Sequence, residues 1–154
     1  MPLPMKPAAA WSMTGVHFTA DFSFMPAFIY NRRIAFHETD AAGVVYFANF
    51  FHLAEEAETH AIASLGNAAA HNGFLYPRVH AEADYCAPLH FFDEVSVHCN
   101  ILRIGSSSID WKFDICHGEK ICAVVKITSS RRNPDGSAAP YTEEEKLTYS
   151  TYLI

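Results

Sequence analysis

Four stretches between residues 79 and 127 alternate apolar and polar side chains with a period of two. Val79, Ala81, Ala83 and Tyr85 interleave with His80, Glu82 and Asp84. Val95, Val97, Cys99 and Ile101 repeat the pattern, as do Ile109, Trp111, Phe113 and Ile115, and then Ile121, Ala123, Val125 and Ile127. Gly105 and His117-Gly118 mark tight turns between the last three. Such runs joined by short turns form an antiparallel sheet with one buried face. Ahead of them stands a single long helical pattern. Phe47, Phe50, Phe51, Ala54, Ala57, Ala61, Ile62 and Leu65 share one stripe, and Gly66-Asn67 is a stop signal. One sheet face and one striped helix can cover each other, so the economical fold is a sheet wrapped around that helix.

The flanks add less. Phe28, Tyr30, Ile34 and Phe36 share one parity and predict a strand ending near His37. Thr142-x-x-Glu145 has the form of a capping box and predicts a short terminal helix. Residues 1–27 are rich in Pro, Ala and Met, and read as an extension before a domain spanning 28–154. Within it Val16, Phe18, Ala20, Phe22 and Phe24 alternate, which fits an extra edge strand; a loose tail, or a true start at Met25, fits as well. Residues 1–24 are expected to be dispensable. Glu58 falls inside the apolar stripe, where spacing gives no account of it.

Composition narrows the function. A net charge of −6 lacks the clustered basic face that nucleic-acid binding needs. No apolar run approaches the roughly 20 residues of a membrane span. Cys86, Cys99, Cys116 and Cys122 have neither a C-x-x-C pair nor zinc spacing. Buried free thiols in a reducing cytoplasm account for them. The nine histidines form no metal-binding motif. Only 18% of residues are charged, and an open antiparallel sheet has free edges, which together point to an oligomer.

The chemistry concentrates in Phe36-His37-Glu38-Thr39-Asp40-Ala41-Ala42-Gly43-Val44-Val45-Tyr46-Phe47-Ala48-Asn49-Phe50. A carboxylate, Asp40, stands shortly before a helix N-terminus, where unpaired N–H groups and the helix dipole meet. A carboxylate beside such donors can attack a carbonyl or activate water against it while the donors hold the oxyanion. Capping is the competing and commoner use of an Asp there.

This segment, with Glu55 on the following helix, resembles the signature of the hotdog-fold acyl-CoA thioesterases, specifically the 4-hydroxybenzoyl-CoA thioesterase type. Ala83-Asp84-Tyr85-x-Ala87-Pro88 with Asp93-Glu94-Val95 extends the resemblance, which spans about Tyr30 to Arg132. It implies an α+β hotdog fold, with about five antiparallel strands around the helix, and hydrolysis of an acyl-CoA thioester whose acyl group is aromatic or short to medium in length. It places the catalytic carboxylate on Asp40 and the oxyanion donor on the Phe47 N–H, with Glu55 in support. Gly43, Val45, Tyr46, Asn49, His80, Ser106 and Ser107 are then expected around the substrate. A homodimer or homotetramer would form the site at its interface, with no metal and no cofactor beyond the coenzyme A of the substrate. Where the type enzyme has a basic turn, this chain has Gly105-Ser106-Ser107-Ser108. Arg103, Lys126, Arg131 and Arg132 are therefore candidates for the nucleotide phosphates. Val44-Val45-Tyr46-Phe47 with Val79-His80-Ala81 also resembles the members that hydrolyse 1,4-dihydroxy-2-naphthoyl-CoA. A hotdog dehydratase and a non-catalytic acyl-CoA-binding module are the alternatives; the Asp–His pair typical of the former has no counterpart here.

Overall fold

The computed structural model describes residues 26–66 and 73–154. The candidate strand at 16–24 lies outside them. The elements are β1 (Phe28–Arg33), α1 (Asn49–Ser64), β2 (Arg78–Tyr85), β3 (Glu94–Ile104), β4 (Ser108–His117), β5 (Lys120–Ser130) and α2 (Glu143–Ser150). The strands form one antiparallel sheet in the order β1-β3-β4-β5-β2, with α1 against its inner face. The hotdog expectation holds.

The inner face is the one the alternation marks. Val95, Val97, Cys99 and Ile101 of β3 are buried, as are Ile109, Trp111, Phe113 and Ile115 of β4. Trp111 stacks on Phe113, so this indole belongs to the core and not to a substrate pocket. From α1 the buried residues are Phe50, Leu53, Ala54, Ala57, Glu58 and Ala61. Three alanines on that face keep side-chain bulk low where the helix meets the sheet. Gly66, with φ +80°, follows the helix in the left-handed conformation that glycine tolerates at a helix end.

Three expectations need correction. Strand β1 ends at Arg33, and Phe36–Glu38 form a 3-10 turn. Ile34 donates its N–H to Asp93 O and is buried, which turns the chain, so Phe36 is 76% exposed instead of continuing the strand. Phe47 precedes the helix and is 56% exposed, so it is not part of the buried stripe. Among the described residues strand β2 pairs only with β5, and it is open along nearly its whole length, with Val79 59% exposed. Of its apolar positions Ala83 packs against the core and Tyr85 meets Phe50 of α1, while Val79 and Ala81 are exposed.

The C-terminal segment closes one end. The capping box forms as expected: Thr142 N–H donates to Glu145 Oε2 at 2.7 Å, and Glu145 N–H donates to Thr142 Oγ1 at 3.2 Å. The guanidinium of Arg131 lies between the Phe74 and Tyr141 rings and pairs with Glu145. Ile101 N–H donates to Tyr152 O, and Ile154 N–H donates to Ile101 O, so the last residues continue the edge of β3 past the end of β1.

Glu58 has a partner that periodicity could not supply. It is 3% exposed, and Arg78 of β2 reaches it: Nη1 donates to Oε1 at 2.9 Å, and Nη2 lies 2.5 Å from Oε2. Burial nonetheless lifts its carboxyl above the ordinary range, against the pull of Arg78. Arg78→Met leaves that carboxyl buried without its cation and is expected to cost about 3 kcal/mol. A carboxyl raised in the folded state favours folding below its unfolded pKa and loses that advantage as pH rises through the folded one. Urea unfolding of Arg78→Met should therefore show a smaller loss at pH 5 than at pH 8.

Candidate active site

The strand register divides the sheet into two ends. Arg33, Glu94, His117, Lys120 and Tyr85 lie at one; Ile104, Ser108, Ser130 and Arg78 lie at the other. The segment carrying Asp40 returns at the first end, bridged to the chain after β2 through Val44 and His90.

Asp40 sits in a tight turn that its own groups close. Its N–H donates to Val44 O at 2.9 Å, its carbonyl accepts Gly43 N–H at 2.9 Å, and its Oδ1 accepts Ala42 N–H at 2.8 Å. Gly43 carries φ +77° in this turn. Asp40 is exposed, and its Oδ2 has no partner among the described residues. It caps its own loop and not the helix, which begins nine residues later with no side-chain cap.

Between turn and helix, Thr39 and Val45 form a bridge, and Val45 N–H donates to Leu89 O at 2.8 Å. Val45 is buried, so its side chain serves the core and not the substrate. Tyr46 N–H donates to Glu38 O at 2.9 Å, and Asn49 Nδ2 donates to the same carbonyl at 2.8 Å. Asn49 thus fastens the helix start. The chain then enters α1 through tight turns: Asn49 N–H to Tyr46 O, Phe50 N–H to Phe47 O and Phe51 N–H to Ala48 O. The N–H groups of Phe47 and Ala48 find no acceptor among the described residues. They are the open donors of a helix N-terminus, where anionic charge is favoured.

Aromatic rings surround these donors. Tyr46 contacts Phe47, and Tyr85 meets both Phe47 and Phe50 edge to face. The Tyr85 hydroxyl donates to Phe47 O at 3.1 Å, tying the end of β2 to the helix entrance. Tyr46, Phe47 and Tyr85 all keep exposed surface. The sequence reading missed Phe50 and the Tyr85 hydroxyl as site groups, since both depend on a strand and helix 35 or more residues apart in sequence meeting at one end.

The remaining candidates lie elsewhere. Glu55 is exposed on the outer face of α1, beside His52, Glu56, Thr59 and His60. His80, on the open strand β2, pairs with Glu82 at 3.1 Å. Ser106 and Ser107 occupy the turn at the far end of β3, where their carbonyls accept the N–H groups of Tyr141 and Arg131. Strand β3 has eleven residues, so about 33 Å of strand separates this turn from the Asp40 end of the same chain. Of the four candidate cations, Arg103 pairs with Asp110, Lys126 with Glu82 and Arg131 with Glu145. Arg132 has no carboxylate partner among the described residues.

All four cysteines are free, with Cys99, Cys116 and Cys122 buried and Cys86 partly so. Burial pushes the Cys99 thiol up to about 12 and Cys116 to about 11, so both stay protonated and unreactive near neutrality. Among the described residues no group of side chains is arranged to hold a metal, and no helix is long and apolar enough to cross a membrane.

Comparison with known proteins bears on the family and the fold. A family model described as Thioesterase superfamily matches residues 42–124. The chain is 31% identical over 107 residues to a 1,4-dihydroxy-2-naphthoyl-CoA hydrolase of Synechococcus elongatus, covering 66% of this chain and 79% of that one. It is 32% identical over 99 residues to the enzyme of the same name from Synechocystis, covering 62% and 72%. The solved structure of a 1,4-dihydroxy-2-naphthoyl-CoA thioesterase from Synechocystis superposes with a TM-score of 0.70 at 26% identity, over 79% of this chain and 94% of that one. A dynemicin thioesterase superposes with a TM-score of 0.73 at 25% identity, over 82% and 96%.

The turn at Gly43 gives a direct test. A Cβ there meets nothing within 4 Å, so the cost of a side chain is that of φ +77° alone. Gly43→Ala is expected to destabilise the chain by about 1 kcal/mol, read from the midpoint of urea unfolding.

Proposed function

The chain belongs to the thioesterase superfamily as a hotdog-fold acyl-CoA thioesterase, and from that premise we propose that Asp40 and the Phe47 N–H together cleave the thioester of an aromatic acyl-CoA. The observation that carries this reading is that one loop, between β1 and α1, carries two open groups. The Asp40 carboxylate offers a free oxygen, and the Phe47 N–H offers a free donor at the helix entrance. A thioester carbonyl oxygen accepting that N–H gains charge as the tetrahedral species forms, and a fixed donor near the positive end of a helix stabilises it.

Two routes use the same placement. In one, Asp40 takes a proton from water, the hydroxide adds to the carbonyl, and the C–S bond breaks to release CoA thiol and the free acid. In the other, Asp40 adds to the carbonyl directly, CoA thiolate leaves, and water hydrolyses the mixed anhydride. Single turnover in labelled water tests for the second. Label entering the Asp40 carboxylate identifies the anhydride route; label confined to the product acid means that water adds to the acyl carbon, of the thioester or of the anhydride.

The aromatic preference rests on the ring cluster of Tyr46, Phe47, Phe50 and Tyr85, with flat and partly open surfaces beside the donors. A flat acyl group stacks on such rings, whereas a long alkyl chain needs a deep tunnel. The names of the relatives, hydrolases of 1,4-dihydroxy-2-naphthoyl-CoA, support the same class.

We place the complete site in a homodimer joined along β2, in the cytoplasm. Among the described residues strand β2 has one free edge, and most of its residues are exposed. Antiparallel pairing of two such edges sets the Tyr85 end of one subunit beside the Arg78 end of the other. That juxtaposition brings the partner subunit's Ser106, Ser107 and Arg132 towards the Asp40 end of this one, where they would meet the nucleotide phosphates. No tightly held cofactor or metal enters this scheme.

An acyl-CoA panel assayed for thiol release tests the whole. Benzoyl- or naphthoyl-type thioesters are expected to show higher kcat/KM than palmitoyl-CoA, and the reverse order would reject the aromatic pocket. Asp40→Asn should lower kcat by about a thousandfold or more with the fold intact by circular dichroism. Near wild-type turnover would remove Asp40 from the chemistry. Light scattering at micromolar concentration should give a dimer or a multiple of it; a monomer would overturn the shared site.

A further inference from the structure

Two residues outside the proposed chemistry hold its two halves. Glu38 is 5% exposed, two positions before Asp40, and each of its polar groups is engaged. Its Oε2 accepts the Ala35 N–H at 2.6 Å and Arg32 Nη1 at 2.9 Å, and its Oε1 pairs with Arg32 Nη2. Its carbonyl accepts Tyr46 N–H and Asn49 Nδ2, as described above. Arg32, on β1, also reaches α1: its Nε lies 2.8 Å from Glu56 Oε2, an ionic contact without hydrogen-bond alignment. The Tyr30 hydroxyl also contacts Glu56, at 3.4 Å, and its ring stacks on His60.

One guanidinium therefore touches the turn that leads into Asp40 and the helix that Phe47 introduces. One glutamate fastens that turn through its carboxylate and the helix entrance through its carbonyl. We propose that Arg32 and Glu38 are positioning residues that fix the Asp40 loop relative to the open N–H of Phe47. The inference rests on the reading of Asp40 and Phe47 given above. Its physical basis is the fork of the guanidinium, whose donors are held in one plane and set direction as well as distance. Small displacements of a nucleophile or base from its carbonyl cost rate far more than they cost binding.

Glu38→Gln is the primary test, since it keeps the size and the carbonyl and leaves Arg32 paired with Glu56. Arg32→Lys is the second: it keeps a cation but has no fork to span Glu38 and Glu56 together. In whichever of these folds, by circular dichroism and light scattering, kcat for the best thioester should fall about ten- to hundredfold while KM changes less than about threefold. A pair that only stabilises the fold would lower the unfolding temperature and leave kcat of the folded enzyme unchanged; that outcome overturns the proposal. So does a rise in KM with kcat intact. Asp40→Asn, measured alongside, separates this from failure of the underlying reading. If Asp40→Asn stays active, the reading of Asp40 fails. If Asp40→Asn is inactive but Glu38→Gln turns over normally, only the positioning role fails.

Discussion

The seating of α1 in the hollow of the sheet fixes nearly everything else in this molecule. The helix meets strands on both sides of the sheet centre, and the small side chains of Ala54, Ala57 and Ala61 leave room for Leu53, Phe50 and the large residues of β3 and β4 to interdigitate. Once that face is buried, the helix entrance can lie only at the Asp40 end, beside Tyr85. Its exit lies at the other end, where Ser64 meets the hydroxyl of Tyr152. A site at the helix N-terminus is thus a consequence of packing along the helix's length.

Charge is used to tie elements together across that core. Glu38 and Glu58 are both buried, and each is met by an arginine from a strand. Glu58 links α1 to the start of the open strand β2; Glu38 and Glu56 link the loop and α1 to β1 through Arg32. Arg131, buried between two rings and paired with Glu145, anchors the C-terminal segment in the same manner. A buried ion pair contributes little net stability over an apolar replacement, but breaking one half of it is costly, so such pairs enforce a single arrangement. That property suits a site whose parts come from separate elements.

The two sheet edges are treated differently. Beyond the reach of β1, the edge of β3 is met by the C-terminal residues around Leu153, which satisfy the backbone of Ile101. Among the described residues the outer edge of β2 has no partner strand, and Val79 and Ala81 beside it are exposed. Free backbone groups beside exposed apolar side chains make a surface on which another strand can pair.

Much of this was legible from the residues alone. The period-two runs determined β3, β4 and β5 and which of their side chains lie inside. The stripe from Phe50 to Ala61 determined the helix, and Thr142 with Glu145 determined α2. Those features are local, since a side chain's face follows from its spacing along one element. The motif around Asp40 determined the loop and the family it resembles. The tertiary structure alone decided what depends on separate elements meeting. It ended β1 at Arg33 because Ile34 turns inward to Asp93, and it placed Phe47 outside the helix face. It gave Glu58 its arginine and left most of β2 open instead of burying its apolar face. It also set Ser106 and Ser107 a full strand length from Asp40 in the same chain. No periodicity carries such information, because ion pairs such as Arg78 with Glu58 and Arg32 with Glu38 are set by sheet register and by where the helix rests, not by neighbours in sequence.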